Sequence, residues 1–373
     1  MIYLDNAATS FPKPKSVIEA TEKCIKKYCA NSGRSSHKLA MITSREIYKT
    51  REAISDFLFF DYPENICFTL NATYALNIAI KSIITENCHV LISDLEHNSV
   101  LRPINKLKVS IGITYSYFST DGDIKKNIQK LITNKTKAIV STLMSNVNGK
   151  EIPLSILSDV AKENGLSLIV DASQVIGHKE INLKNIYFDA LCAPAHKGLL
   201  GIQGCGFVVF GKKISNTIIE GGSGNDSLNL KMPSDLPEHF EAGTLPSPSI
   251  ISLQAGIEYI KEFGLENIEL HNKKLSILFY EMLSEIKNTE IYSAENGIIS
   301  FRFKGIDSNI IANKLNEYGI FVRSGLHCAP MAHRKLGTLD TGLVRISTSV
   351  FNKSEDCIFV RDALKEISNT LFK

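Results

Sequence analysis

Between residues 60 and 210 short apolar, β-branched runs alternate with amphipathic or polar stretches, and this alternation constrains the fold more than any other feature. The runs are Ile66–Leu70, Val90–Ser93, Ile113–Phe118, Ala138–Thr142, Leu168–Asp171, Ala190–Ala193 and Gly206–Phe210. A strand that is apolar at successive positions is one buried on both faces, and helical patterns at Thr73–Ile84 and Ser155–Glu163 supply the cover. Strands alternating with helices in this way predict an α/β fold with a mostly parallel, seven-stranded sheet. Ligands of such sheets bind beyond the carboxyl ends of the strands, which is where the polar residues of interest fall.

The stretch Glu220–Ser249 departs from this rhythm, being rich in Gly, Ser and Pro. A loop of that length inside a compact chain serves function or covers an interface. After it come helical patterns at Ile250–Glu262, Ile268–Ile286 and Ile310–Tyr318, and strand patterns at Ile298–Phe303, Ile320–Arg323 and Leu343–Ser347. A closing helix starts near Ser354. This tail reads as a small α+β domain. The expected division is a large domain over 15–250 and a small one made of 1–14 with 251–373.

With 42 Lys and Arg against 39 Asp and Glu, the net charge of +3 gives no electrostatic reason to expect nucleic acid or a membrane surface as the main partner. The eight cysteines show no C-x-x-C pair or Cys/His cluster, so neither a metal site nor a disulfide framework is expected. MIYLDNAATS lacks a signal-peptide pattern, and no apolar run is long enough to span a bilayer. The expected location is the cytoplasm.

Three places carry chemistry. In LIVDASQ four apolar residues run into Asp171, so a carboxylate ends a buried strand; it is placed either to meet a ligand cation or to cap a helix, a role Ser173 could also fill. In CAPAHKGLLGIQGCG the pair His196-Lys197 follows the next strand. Lysine partly desolvated at a sheet end loses basicity and becomes able to form a Schiff base; the alternative is an exposed loop lysine. In RSGLHCAP, Cys328 lies close in sequence to Arg323 and His327, a setting for an exposed, activated thiolate rather than a structural thiol.

Asp171-x-x-Gln174 followed by His196-Lys197-Gly198 resembles the fold-type I pyridoxal-phosphate (PLP) enzymes of the class V aminotransferase group. The resemblance implies that Lys197 holds PLP as a Schiff base, that Asp171 pairs with the pyridine nitrogen, and that Gln174 bonds the phenolic oxygen. It also implies a phosphate cradle at Asn71-Ala72-Thr73, where a helix opens after a strand. His97, in SDLEHNSVLRP, would stack on the ring, and Asn146, in MSNVNG, would lie near cofactor and substrate carboxylate. Thr244, in EAGT, would touch the phosphate of a neighbouring subunit in a homodimer. RSGLHCAP is similar to the R-x-G-x-H-C-A motif of group II cysteine desulfurases and selenocysteine lyases, in which the cysteine attacks the substrate's sulfur. Arg345, in GLVRISTSVFN, matches the arginine that clamps the substrate carboxylate. The likeness runs from LDNAAT to the final helix. Pro194 departs from it: many relatives carry there a Ser or Thr that donates to the phosphate, and proline offers no donor.

The implied reaction converts L-cysteine to L-alanine. It leaves a persulfide on Cys328 for a sulfur-acceptor protein that serves iron–sulfur cluster assembly or another thio-cofactor route. Lys197, Cys328 and His97 would be catalytic, His196 would contact the cofactor, and Arg345, Asn146 and Arg323 would bind substrate. The alternative is a selenocysteine lyase or another class V enzyme using the same residues.

Overall fold

A computed structural model of the chain describes residues 1–33, 35–224 and 227–372. In chain order its first elements are β1 (Ile2–Tyr3), α1 (Lys15–Lys27), α2 (Lys38–Phe57), β2 (Ile66–Thr69), α3 (Ala72–Ile83), β3 (His89–Ser93), α4 (Asn98–Ile111) and β4 (Thr114–Phe118). Then follow α5 (Ile124–Gln129), β5 (Thr136–Thr142), α6 (Leu154–Glu163), β6 (Ser167–Asp171), β7 (Ala190–Pro194), β8 (Gly206–Phe210), α7 (Ser247–Phe263) and α8 (Leu265–Ser284). The chain closes with β9 (Thr289–Glu295), β10 (Ile298–Phe303), α9 (Ser308–Glu317), β11 (Ile320–Phe321), α10 (Pro330–Leu336), β12 (Val344–Ser347) and α11 (Ser354–Leu371).

The expected seven-stranded sheet is present, in the order β2-β8-β7-β6-β5-β3-β4. Only β8 runs antiparallel to its neighbours. Side chains alternate between the two faces, as the two-residue period of a strand requires. Leu91, Ile139, Leu168, Val170 and Leu191 enter one apolar cluster, while Val90, Ile92, Val140, Ile169 and Cys192 enter the other. Both faces are therefore dry, which is why these strands read as continuous apolar runs.

A second sheet, β12-β10-β9, is antiparallel. It builds a separate core in which Phe301, Phe303 and Val344 meet Leu275, Phe279 and Leu283 of α8 and Val360 and Leu364 of α11. The N-terminus joins this module: β1 pairs with β11 and Leu4 lies in its core. Helix α7 packs instead on α1 and α2, and its Ile250, Leu253, Ile257 and Ile260 share the large sheet's core.

The described residues of the excursion before α7 form turns and bends without helix or strand; Asn225 and Asp226, inside it, lie outside the described residues. Among the described residues no helix is long and apolar enough to cross a membrane.

Candidate active site

The carboxyl ends of β2, β3, β5, β6 and β7 converge on a cavity of about 270 Å³. Ala72, Thr73, His97, Asn146, Asp171, Gln174, His196 and Lys197, scattered over 126 positions of sequence, all line it, together with Pro194.

Helix α3 opens the cavity floor. Asn71 caps it by accepting the Tyr74 N–H at 3.1 Å, so the first-turn amides face the cavity as a ready anion site. Gly206 makes that approach possible. A Cβ at this position would stand 2.5 Å from the Asn71 carbonyl carbon and 2.8 Å from the Ala72 nitrogen.

Asp171 ends β6, buried, and one carboxylate oxygen accepts the Ser173 N–H at 2.9 Å. The residues after it form a turn rather than a helix, so Asp171 caps a turn and still faces the cavity. Lys197 has no side-chain hydrogen bond among the described residues. Burial, reinforced by the Arg345 and Arg323 cations and only partly offset by Asp171, lowers its pKa from 10.5 to about 8. An amine in that state is free to act as a nucleophile near neutral pH. The loop before it is pinned: the His196 carbonyl accepts from Ser10 N at 3.0 Å, Lys13 Nζ at 3.1 Å and Thr9 Oγ1 at 3.1 Å.

His97 is the N-cap of α4, not an ordinary loop residue. Its Nδ1 accepts the Ser99 N–H at 3.0 Å, which leaves the ring proton on Nε2. Burial, together with the Lys197, Arg323 and Arg345 charges and opposed by Asp171, pushes its pKa down to about 4, so the ring is neutral. Gln174 donates to the Ala7 carbonyl at 3.0 Å.

Cys328 is exposed, and an Arg323 guanidinium nitrogen lies 3.7 Å from its Sγ. Both His327 and Cys328 sit in left-handed backbone, at φ of 50° and 56°, an uncommon conformation for residues with a Cβ. Two hydrogen bonds hold this bend. The His327 carbonyl accepts from Asn146 Nδ2 at 2.8 Å, and the Cys328 carbonyl accepts the Asn98 N–H at 2.7 Å.

The setting expected for the thiol needs one correction: His327 does not accompany it. The His327 ring points inward, 3% exposed, with Nδ1 3.1 Å from His333 Nε2, while His333 Nδ1 lies 2.8 Å from Thr338 Oγ1. The local signal for this was absent, because the partner is His333 on α10, outside the motif.

Arg345, 1% exposed, donates to Asp5 Oδ1 and to the Asn146 carbonyl at 2.8 and 2.9 Å. Asp5 and Lys13 are contributions that residue-by-residue reading passed over; LDNAAT and FPKP gave them no local chemistry, and only the return of the chain start to the site reveals them. Glu96 is another. Fully buried, it accepts from Ser93 Oγ and, at 2.7 Å, from the Thr142 N–H, while its second oxygen has no partner among the described residues. Burial raises its pKa to about 8.

Thr244 alone of the expected cofactor contacts lies outside the cavity. It is exposed, and its hydroxyl accepts from Asn31 Nδ2 at 3.3 Å.

The arrangement fits PLP from its own donor set: a helix N-terminus for a phosphate, a buried carboxylate for a pyridinium, and an unbonded amine of lowered basicity. The aminotransferase class-V model matches residues 2–358. A probable cysteine desulfurase from Methanothermobacter thermautotrophicus is 31% identical over 381 residues, covering 98% of this chain and 94% of that protein. One from Pyrococcus abyssi is 31% identical over 388 residues, covering 100% and 95%. The apo structure of a cysteine desulfurase from Thermococcus onnurineus NA1 superimposes with a TM-score of 0.87 at 30% identity, covering 99% of this chain and 95% of that one. The chain therefore belongs to the class-V aminotransferase family, among its PLP-dependent cysteine desulfurases.

Proposed function

We propose that the chain removes sulfur from L-cysteine, releases L-alanine and carries the sulfur as a persulfide on Cys328. The observation that carries this reading is an exposed thiol beside a guanidinium, held in left-handed backbone in a depression that shares Thr73, His97 and Ser99 with the cavity of an amine of lowered basicity.

Lys197 would hold the cofactor, the Ala72–Thr73 amides would receive its phosphate, and Asp171 would keep its ring nitrogen protonated. Gln174 would donate toward its phenolic oxygen, and His97 and His196 would complete the wall of its site. Bound PLP supplies the electron sink that lets a proton leave the substrate's α-carbon and weakens the Cβ–S bond. Lys197, an amine of lowered basicity, would take and return that proton. The Arg345 guanidinium orients the substrate carboxylate, with Asn146 and Arg323 beside it. Cys328, as thiolate, attacks the substrate sulfur: an S–S bond forms, the Cβ–S bond breaks, and its electron pair passes to the organic fragment, which leaves as alanine after protonation.

Thr244 lies exposed within the long excursion and does not line its own chain's cavity, which supports a homodimer in which it reaches the partner's phosphate. All eight cysteines are free, in keeping with a reducing cytoplasm. The acceptor is a thiol protein that feeds iron–sulfur or thio-cofactor synthesis.

The test is alanine release from cysteine by the PLP-loaded protein with a thiol reductant, beside Cys328→Ala. Expected is activity in the parent and a loss of at least about a hundredfold in the variant. Activity that survives in Cys328→Ala points to a selenocysteine-lyase type of chemistry, and no alanine from either points to another amino-acid substrate.

A further inference from the structure

A second depression of about 360 Å³ begins at Cys328, Thr73 and His97 and runs outward over α3 and α4. Its walls are two stripes at four-residue spacing, Thr73, Asn77 and Lys81 on α3 and Asn98, Arg102 and Lys106 on α4. Residues four apart share a helix face, and α3 packs on α4, so the stripes flank a common groove. Among the described residues no carboxylate lines it. The side chains of Lys81, Arg102 and Lys106 have no ion pair or hydrogen bond among the described residues, unlike Lys15, Lys125, Lys150 and Lys365 elsewhere on the molecule, which pair with Asp or Glu. Helix α4 starts at the Cys328 end and adds the positive end of its macrodipole there, whereas that of α3 is given to the cofactor phosphate. The groove is therefore positive along its outer part, where Lys81, Arg102 and Lys106 stand.

We propose that this groove docks the sulfur acceptor, a protein that presents a thiol within an acidic segment. The proposal rests on the desulfurase reading and names the partner's chemistry. Eight helical positions at about 1.5 Å each give a groove roughly 12 Å long, which an extended segment covers with about four residues. A free thiol amino acid would fill only the Cys328 end. Positive surroundings also hold the incoming thiol as its thiolate, the form that reacts. In the transfer the acceptor thiolate attacks the terminal sulfur of the Cys328 persulfide, a new S–S bond forms, and the old one breaks. Cys328 leaves as a thiolate and takes up a proton, with no net oxidation. Nucleic acid would match the charge but offers no thiol to receive the sulfur.

The experiment compares two peptides as acceptors for the PLP-loaded protein at saturating cysteine: one with a single cysteine flanked on both sides by glutamates, the other with glutamines in their place. Expected is alanine release with a kcat/KM at least about tenfold higher for the acidic peptide at low salt, a preference that disappears near 0.5 M salt. In K81E/R102E/K106E the preference vanishes while alanine release with dithiothreitol is unchanged. Should that variant not fold, K81Q/R102Q/K106Q and the salt series on the parent make the same comparison. Equal rates for the two peptides, or a preference that survives the substitutions, overturn the proposal. Stronger competition by a thiol-free single-stranded oligonucleotide than by a thiol-free acidic peptide overturns it in favour of nucleic acid. No alanine from the parent with dithiothreitol would instead refute the desulfurase reading beneath it.

Discussion

The hydrogen-bond chain behind Cys328 admits one direction. His327 Nε2 lies 3.4 Å from the Arg323 carbonyl, which can only accept, so Nε2 carries the proton and Nδ1 must accept from His333 Nε2. His333 Nδ1 then accepts from Thr338. A proton added to His327 would set two donors against each other, and burial already holds both rings well below ordinary histidine basicity, His333 at about 4. His333 thus fixes the residue before the thiol in its left-handed bend. Replacing it by Phe strands a buried acceptor, at about 1–3 kcal/mol, and loosens the bend that aims Cys328. Sulfur transfer from cysteine should fall roughly ten- to a hundredfold. Exchange of the alanine α-proton in deuterated buffer, which needs Lys197 and the cofactor but no thiol, should stay within about twofold. Gln, whose amide can donate to Nδ1, should restore part of the rate. Equal losses in both assays would show that His333 supports the whole site instead.

Glu96 makes the opposite demand on pH. Its folded pKa of about 8 exceeds the ordinary value of 4.5, so between these limits the folded chain binds more protons than the unfolded one. Stability from this group is complete at low pH and is lost as pH rises toward 8 and beyond. Glu96→Gln keeps an acceptor for the Ser93 hydroxyl and the Thr142 amide without a charge to bury. Its unfolding free energy, from chemical denaturation, should rise relative to the parent's as pH climbs from 5 to 8, by up to about a few kcal/mol. A gap that does not change with pH would place the carboxyl outside the buried polar layer.

At the scale of elements, the strands of the large sheet were legible because burial on both faces leaves apolar runs with no polar interruption. β9 escaped notice because its residues are half-buried and mix charged with apolar side chains. α10 is only a short helix beyond the thiol loop, too brief to show a period. In the site, Asp171, Lys197 and the start of α3 could be placed from strand ends and a resemblance. Asp5, Lys13 and His333 could not, since each acts through a contact made by the chain's return. Gly206 combines the two cases: a glycine opening a strand looks ordinary, yet its missing side chain sets the distance between β8 and α3. Gly206→Ala forces the Asn71–Ala72 backbone to move, so PLP affinity should weaken by about tenfold or more, with a stability loss of roughly 1–3 kcal/mol. Absorbance titration of the cofactor checks the first and chemical denaturation the second. Unchanged affinity would mean that the α3 amides do not hold the phosphate.

For the whole molecule the decisive inventory is histidine. Of nine, His89, His97, His178, His196, His327 and His333 are held below their ordinary basicity, burial being the largest cause in every case. Four of them, His97, His178, His196 and His333, sit at about 4 against 6.5. A base with a depressed folded pKa is protonated more readily when unfolded, so stability is present above about 6.5 and drains as pH falls toward 4. At pH 5 each of the four costs on the order of 2 kcal/mol, of which the Glu96 carboxyl, favoured when protonated, returns only a part. The rings are spread from the cavity to the thiol loop, so no single substitution should remove the effect. The melting temperature of the PLP-loaded protein should drop by roughly ten degrees or more between pH 7 and 5, accompanied by uptake of more than one proton on unfolding. A flat profile across that interval would mean that these histidines are reached by water and charged within the folded chain, and the neutral His327–His333 pairing would fall with it.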